Sequence, residues 1–262
     1  MSTLKAYLTN CILDSLKINL HLDGKSMEIV QYKESNKFLT NIRNETSYII
    51  IHDVDKSEID VIKNLVEKLV HLLKFMTHKE VTFYAYAYPE NKMQKLWATI
   101  GTSNWSRSLI PLHKKSVEDF IHQVWNKFND EYAGRKLDYI FEYLVQTTKS
   151  AIYEHKIVLC FLILESLKYT YALEQQIPYK NGRFRTNNNK PYSFSKLLNK
   201  MFNDKAMIIP NKDLTNFRNE LIHSGILFKS DAQKFQMLNN CIKIIREYLI
   251  KLIGYTGFYY QV

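Results

Sequence analysis

The spacing of hydrophobic and polar positions changes partway along the chain. Residues 5 to 52 contain short runs typical of strands: AYLTNCIL, LKINLHL, MEIVQY and SYIII. DGKS at 23–26 predicts a hairpin turn between the second and third of these runs. From Ser57, the predicted N-cap, apolar residues recur at helical spacing, and EVTFYAYAY at 80–88 returns to strand character.

The second half of the chain predicts helices almost throughout. One begins at Ser116, another at about residue 136, and a third covers 153–176, where an apolar middle predicts a central buried helix. Three more follow: FSKLLNKMFND, the helix carrying RNELIHSG at 218–225, and a long helix from Ser230 with a stripe that includes Phe235. We therefore expect an α+β protein, with a strand-rich α/β domain at 1–115 and an all-α helical bundle at 116–262.

Composition restricts the possible classes of protein. With 262 residues, 46% of them hydrophobic, the chain can bury a substantial core. The longest apolar run, IVLCFLIL, is too short to span a bilayer, and the start lacks the pattern of a signal peptide, so we expect a cytoplasmic protein with no membrane partner. The three cysteines are widely spaced and suit a reducing compartment. The net charge of +10 favours anionic partners, nucleic acid first, although richness in Lys, Asn, Ile and Tyr can also reflect codon bias.

RNELIHSG places polar residues on the helix side opposite its apolar stripe. At 100° per residue, Leu214, Phe217 and Leu221 fall within about 60° of one another. Asn219 and His223 are four residues apart and lie roughly 160° from Leu221. Gly225 is expected to end the helix in the left-handed conformation.

Two interpretations of this face remain open. It is a solvated polar surface, or it is a site that handles a phosphate. Histidine can move protons near neutral pH, and arginine offers a fork of donors to a phosphate. RNA carries its own nucleophile, the 2′-OH, so His223 with Arg218 suffices to suggest RNA cleavage without a metal.

The motif and its surroundings resemble the HEPN superfamily. Arg218-Asn219-x3-His223 is similar to the R-x4–6-H motif of HEPN ribonucleases, and the segment LDYIFEYLVQTTKSAIYEHKIVLCFLILESLKYTYALE resembles their first two helices. The resemblance covers about 135–253, with LES at 164–166 where the family has an acidic position. A strand-rich part before a HEPN domain is also similar to antiphage HEPN proteins of the ApeA type.

The resemblance implies a homodimer in which two motif helices form one composite RNA-cleaving groove. Arg218 would stabilise the phosphate, Asn219 would orient groups around it, and His223 would transfer protons. The implied products carry a 2′,3′-cyclic phosphate and a 5′-hydroxyl. The resemblance also implies a role in antiphage defence or as a toxin, with a regulatory protein or a phage trigger as a further partner.

Two other groups of residues are candidates at the same site. Glu165 is either an orienting partner of Arg218 and His223 or an ordinary helical glutamate paired with Lys168 or Arg218. The stretch YKNGRFRTNNNKP mixes basic and aromatic residues, which suits single-stranded RNA but also suits a solvated hairpin-like loop. Its candidate RNA-binding residues are Lys180, Arg183, Phe184, Arg185 and Lys190.

We expect neither a cofactor nor a metal. His52, Asp53 and Asp55 follow a strand, where a divalent cation is conceivable, but a polar turn leading into a capped helix is the preferred interpretation. The main alternative to a ribonuclease is a non-catalytic HEPN module that binds RNA or protein.

Overall fold

The computed structural model describes residues 2–32, 45–89, 92–96, 107–208 and 212–261. The chain divides into two compact units, Met1–Asn126 with Gly257–Gln261, and a second unit that begins at Lys127 and runs to Thr256. The division falls within helix α2, Lys114–Tyr132, and the predicted domain start at residue 116 lies in the first turn of that helix.

The first unit contains a six-stranded antiparallel sheet. The strands are β1 Ser2–Thr9, β2 Lys17–Leu22, β3 Lys25–Gln31, β4 Glu45–Val54, β5 Thr82–Ala87 and β6 Met93–Lys95. Their order across the sheet is β2-β3-β4-β1-β5-β6. Buried and accessible positions alternate along β2 and β3, so one face of each strand belongs to the core.

The predicted β2–β3 hairpin is confirmed. Leu22 pairs with Lys25, and the two residues between them, Asp23 and Gly24, have φ angles of 49° and 75°. Two consecutive positive φ angles are what a two-residue type I′ turn requires. The first strand, by contrast, is β1 at Ser2–Thr9 rather than 6–13, because Asn10 turns the chain with a left-handed φ of 57°.

Helix α1, Ile59–Thr77, supplies the helical layer of this unit. Its buried side chains include Ile62, Val66, Leu69 and Leu73, which recur every three or four residues. The predicted N-cap at Ser57 is wrong. A 3-10 turn, Lys56–Glu58, precedes α1, and the backbone N–H of Asp55 donates to Glu58 Oε2 over 2.9 Å.

The second unit is built around helix α4, Tyr153–Glu174. It contacts α3 (Leu137–Gln146), α5 (Phe194–Asn203), α6 (Lys212–Ser224) and α7 (Asp231–Leu252). The prediction of a central helix is therefore confirmed, although one side of α4 is exposed. Ser230 caps α7 as predicted, by accepting from Gln233 N, and Phe235 is exposed rather than part of the core stripe.

The second unit is not entirely helical. Strands β7, Tyr179–Lys180, and β8, Arg183–Phe184, form a short antiparallel hairpin within the stretch predicted to be a loop. Asn181 and Gly182 have φ angles of 52° and 72° and make its two-residue turn. The mixed α+β class is confirmed, and the all-α description of the second part is corrected by this hairpin.

Within the part of the chain that the structure describes, no helix is both long enough and apolar enough to cross a membrane.

Candidate functional site

Helix α6 presents its motif on the side away from the core. Leu214 and Leu221 are buried, whereas Asn219 and His223 are exposed, as the helical spacing predicted. Gly225 follows the helix with a φ of 71°, and its N–H donates to the carbonyl of Leu221 over 2.9 Å. The left-handed end expected at Gly225 is therefore present.

Arg218 is held by residues of α4 and α6. Its Nη2 donates to Glu165 Oε1 over 2.9 Å, and its Nη1 donates to Asn219 Oδ1 over 3.2 Å. The other Glu165 oxygen, Oε2, accepts from Lys168 Nζ. Both cations lie near the ring of Phe194, at 5.1 Å for the Arg218 guanidinium and 4.8 Å for Lys168 Nζ. Glu165 thus bridges two cations beside an aromatic ring.

His223 lies apart from this bridged cluster. It is exposed, and its ring makes no hydrogen bond or ion pair with the described residues. Arg218 and His223 are five positions apart, so they point about 140° away from each other around the helix. Asn219 lies between them in direction and one turn before His223. A single α6 therefore presents the arginine and the histidine to different sides.

Apolar side chains are exposed on the side of α4 that carries Glu165 and on the side of α6 that carries Arg218 and Asn219. Val158, Leu162 and Tyr169 lie within about 40° of one another on α4, and Glu165 lies about 20° to one side of them. On α6, Ile222 is 57% exposed and points between Arg218 and Asn219. A surface with several exposed aliphatic side chains near charged groups is typical of a protein interface.

The hairpin residues predicted to bind RNA are distributed over different environments. Lys180 and Lys190 are exposed, and Arg183 is exposed at the rim of a cavity. Arg185 Nη1 donates to the carbonyl of Asn189 over 2.8 Å, so part of this guanidinium already stabilises the hairpin. Phe184 is only 7% exposed, which leaves little ring surface for a base.

A cavity of about 470 Å³ lies beside the Glu165–Arg218 pair. Helix α4, the β7–β8 hairpin, the start of α5 and Arg218 of α6 form its walls. Sequence reasoning missed the roles of Tyr169 and Phe194 here, whereas Tyr179 belongs to the basic and aromatic stretch that it had singled out. Tyr169 follows Glu165 by one helical turn, which was the available signal, but the distant Phe194 carried none.

The remaining candidate residues are Asp53 and Asp55, considered for a metal site, and the three cysteines. Asp55 caps the turn before α1, and Asp53 is exposed with a φ of 55°. Among the described residues, no group of three or more His, Cys, Asp or Glu side chains is placed to hold a metal. All three cysteines are buried, and burial raises the pKa of the Cys11 thiol to about 11, which makes it a poor nucleophile.

Comparison with known proteins found no matching family model, no matching curated protein and no matching solved structure.

Proposed function

We propose that this protein is a HEPN-type endoribonuclease that cleaves RNA without a metal ion. The observation that carries the proposal is the exposed face of α6, where Glu165 orients Arg218 while His223 keeps an accessible, unpartnered ring among the described residues. A buried ion pair would serve stability alone, but these side chains are accessible to a ligand. Their types match phosphate binding and proton transfer.

The chemistry follows from the nucleotide itself. The RNA 2′-oxygen attacks the adjacent phosphorus and the bond to the 5′-oxygen breaks, leaving a 2′,3′-cyclic phosphate and a 5′-hydroxyl. His223 would accept the proton of the 2′-OH or supply one to the departing 5′-oxygen. Arg218 would stabilise the charge that develops on the phosphoryl oxygens, and Asn219 would orient groups around it.

The proposed active form is a homodimer. Because Arg218 and His223 of one chain diverge, two facing copies of α6 would bring both residue types into one groove. The exposed Val158, Leu162 and Ile222 supply apolar surface next to that groove. Burial of these side chains against a second copy would contribute to association.

We place this activity in antiphage defence or in a toxin, with the strand-rich first unit as the part that senses a trigger or binds a regulatory protein. The net charge of +10 supports an anionic substrate but does not distinguish among RNAs.

The proposal is tested by incubating the purified protein with total RNA in EDTA. We expect cleavage by the wild type, and loss on the order of 10²–10⁴-fold in His223→Ala, with a comparable loss in Arg218→Ala. Mapping of the ends should find 2′,3′-cyclic phosphates. Cleavage that requires magnesium, or that persists in His223→Ala, would overturn the mechanism.

The second candidate is a non-catalytic HEPN module that binds RNA. The cavity beside Arg218 favours it, because cations and aromatic rings there suit nucleotide binding and do not require His223. RNA binding that is unaffected by His223→Ala, with no cleavage even after addition of a trigger, would select this alternative.

A further inference from the structure

The cavity beside Arg218 has walls of two chemical kinds. Aromatic side chains form one part, contributed by α4, the hairpin and the start of α5. Cationic side chains form the other part, from α4, the hairpin and α6. The aromatic set comprises Tyr169, Tyr179, Phe184, Tyr192 and Phe194, and the cationic set comprises Lys168, Arg183 and Arg218. A volume of about 470 Å³ is within the range that holds small organic ligands.

The aromatic wall leaves ring surface accessible. Phe184 is buried under two tyrosines, with ring centroids 5.3 Å from Tyr169 and 4.8 Å from Tyr179. The tyrosines themselves are 44% and 49% exposed. Phe184 therefore acts as a fixed support, and Tyr169 and Tyr179 offer their outer faces to a ligand. A planar ring stacked there would gain contact without displacing the core.

The cationic wall has a surplus of positive charge. Among the described residues, Glu165 is the single carboxylate that lines the cavity, and it pairs with two of the three cations, Lys168 and Arg218. Arg183, on the hairpin, is exposed at the rim. Helix α5 also begins here, where Ser193 accepts from Lys196 N over 3.3 Å, so the positive end of its dipole faces the same space. An anionic group is the complement of this wall.

We propose that the cavity binds one unpaired nucleotide of the RNA substrate, next to the phosphate held by Arg218. The base stacks against Tyr179 and Tyr169, and its phosphate contacts Arg183 and Lys168. This inference rests on the proposed ribonuclease and adds the substrate class: cleavage occurs in single-stranded RNA, because a base inside a duplex cannot enter the cavity.

The test measures binding separately from cleavage. The full chain carrying His223→Ala is titrated with a fluorescent single-stranded RNA, with the same RNA annealed to its complement, and with versions carrying one abasic site at each position in turn. We expect weaker binding of the duplex, and one abasic position should lower affinity by about 10-fold.

Matched substitutions localise the effect to the cavity. Tyr179→Ala and Arg183→Gln should each weaken binding several-fold, whereas Tyr139→Ala and Lys136→Gln, exposed residues of the same unit outside the cavity, should not. Tyr179→Phe should restore binding, because the ring is kept. In the Tyr179→Ala background, the abasic position should lose its effect, since the stacking partner is gone.

The outcomes separate this proposal from the ribonuclease itself. Cleavage by the wild type with no effect of Tyr179→Ala, Arg183→Gln or any abasic site would overturn the cavity proposal and leave the enzyme intact. Loss of RNA binding in those variants without cleavage by the wild type would support the cavity and overturn the enzyme. A 5′-mononucleotide that binds the cavity but does not displace the RNA from the protein would show that the occupant is a free nucleotide, and the RNA assignment would be wrong.

Discussion

Two clusters of charged residues in the second unit use the same side-chain types in opposite ways. In the first, which we call the closed network, Glu131 accepts from Lys127 at 2.9 Å and from Arg135 Nε at 3.1 Å, and Arg135 also pairs with Glu174. Two acids balance two bases, and the Arg135 side chain is 5% exposed. In the second, the open cluster, Glu165 faces Lys168 and Arg218, beside Arg183 at the rim of a cavity.

The two clusters differ in the charge and the surface that remain available to a ligand. The closed network is balanced in charge, and its central pair, Glu131 and Arg135, is shielded from water, whereas Lys127 and Glu174 are about half exposed. Its interactions therefore contribute to stability. The open cluster has more cations than carboxylates, and its partly exposed side chains line a cavity. The two clusters therefore differ in charge balance and in the cavity beside the open cluster, not in the types of side chain that form them.

The largest expected effect comes from breaking the closed network. Arg135→Ala leaves the partly buried Glu131 with Lys127 alone and removes the pair with Glu174, and we expect a loss of about 3–5 kcal/mol in the free energy of unfolding. Arg218→Ala, the matched change in the open cluster, should cost about 1 kcal/mol or less while abolishing cleavage. Urea denaturation measures both. Equal destabilisation by the two variants would remove the distinction between the clusters.

The second prediction compares two neighbouring apolar residues of α6. Leu221 is 7% exposed and Ile222 is 57% exposed. Leu221→Ala should cost about 2–4 kcal/mol of stability, because it leaves a cavity in the core. Ile222→Asp should change monomer stability by about 0.5 kcal/mol or less but shift the protein from dimer to monomer. Light scattering across a concentration series decides, and a dimer that tolerates Ile222→Asp would contradict the proposed interface.

The third prediction concerns pH. Burial raises the pKa of Glu131, but hydrogen bonds and the charges of Lys127 and Arg135 outweigh it and hold the pKa below the ordinary 4.5. A lowered folded-state pKa means that the stabilising contribution is present above the unfolded value and is lost as pH falls through the folded value. The difference in stability between wild type and Glu131→Gln should therefore be present at pH 7 and shrink as the pH falls below 4.5. A difference in stability that stays constant over this pH range would show that the charge of Glu131 is not the source of the stabilisation.

The smallest effects are expected at the exposed lysines of the hairpin. Lys180→Gln and Lys190→Gln should each weaken RNA binding only slightly, since both side chains are solvated and outside the cavity. Each should reduce the slope of log affinity against log salt by about 0.7, the value for one phosphate contact on a single strand. If the salt dependence of affinity is unchanged in both variants, Lys180 and Lys190 do not belong to the RNA-binding surface.

Local patterns predicted the parts of the fold that depend on neighbouring residues. Asp23-Gly24 predicted its turn, and helical periodicity predicted the exposed side of α6. Strand β6, Met93–Lys95, was missed because it is an edge strand in which every side chain is exposed, so no apolar alternation marks it. The Glu165–Arg218 pair was named in both interpretations of Glu165, as the orienting role that the family resemblance implies and as an ordinary ion pair.

The cavity could not be predicted. Its walls combine residues from α4, the hairpin, α5 and α6, and Glu165 is 53 residues from Arg218. Phe194, which both cations contact, lies at the start of a helix with an ordinary serine cap. Such a site is defined by tertiary packing, which periodicity along the chain does not report.

The divergence of Arg218 and His223 on α6 has a consequence for dosage. If a competent groove needs two copies, cleavage at concentrations below the dissociation constant rises with the square of protein concentration. Doubling expression would then raise activity about fourfold, and a cell that keeps the protein scarce would hold it silent without any inhibitor. The order of cleavage in protein concentration can be measured directly as the activity per chain over a dilution series.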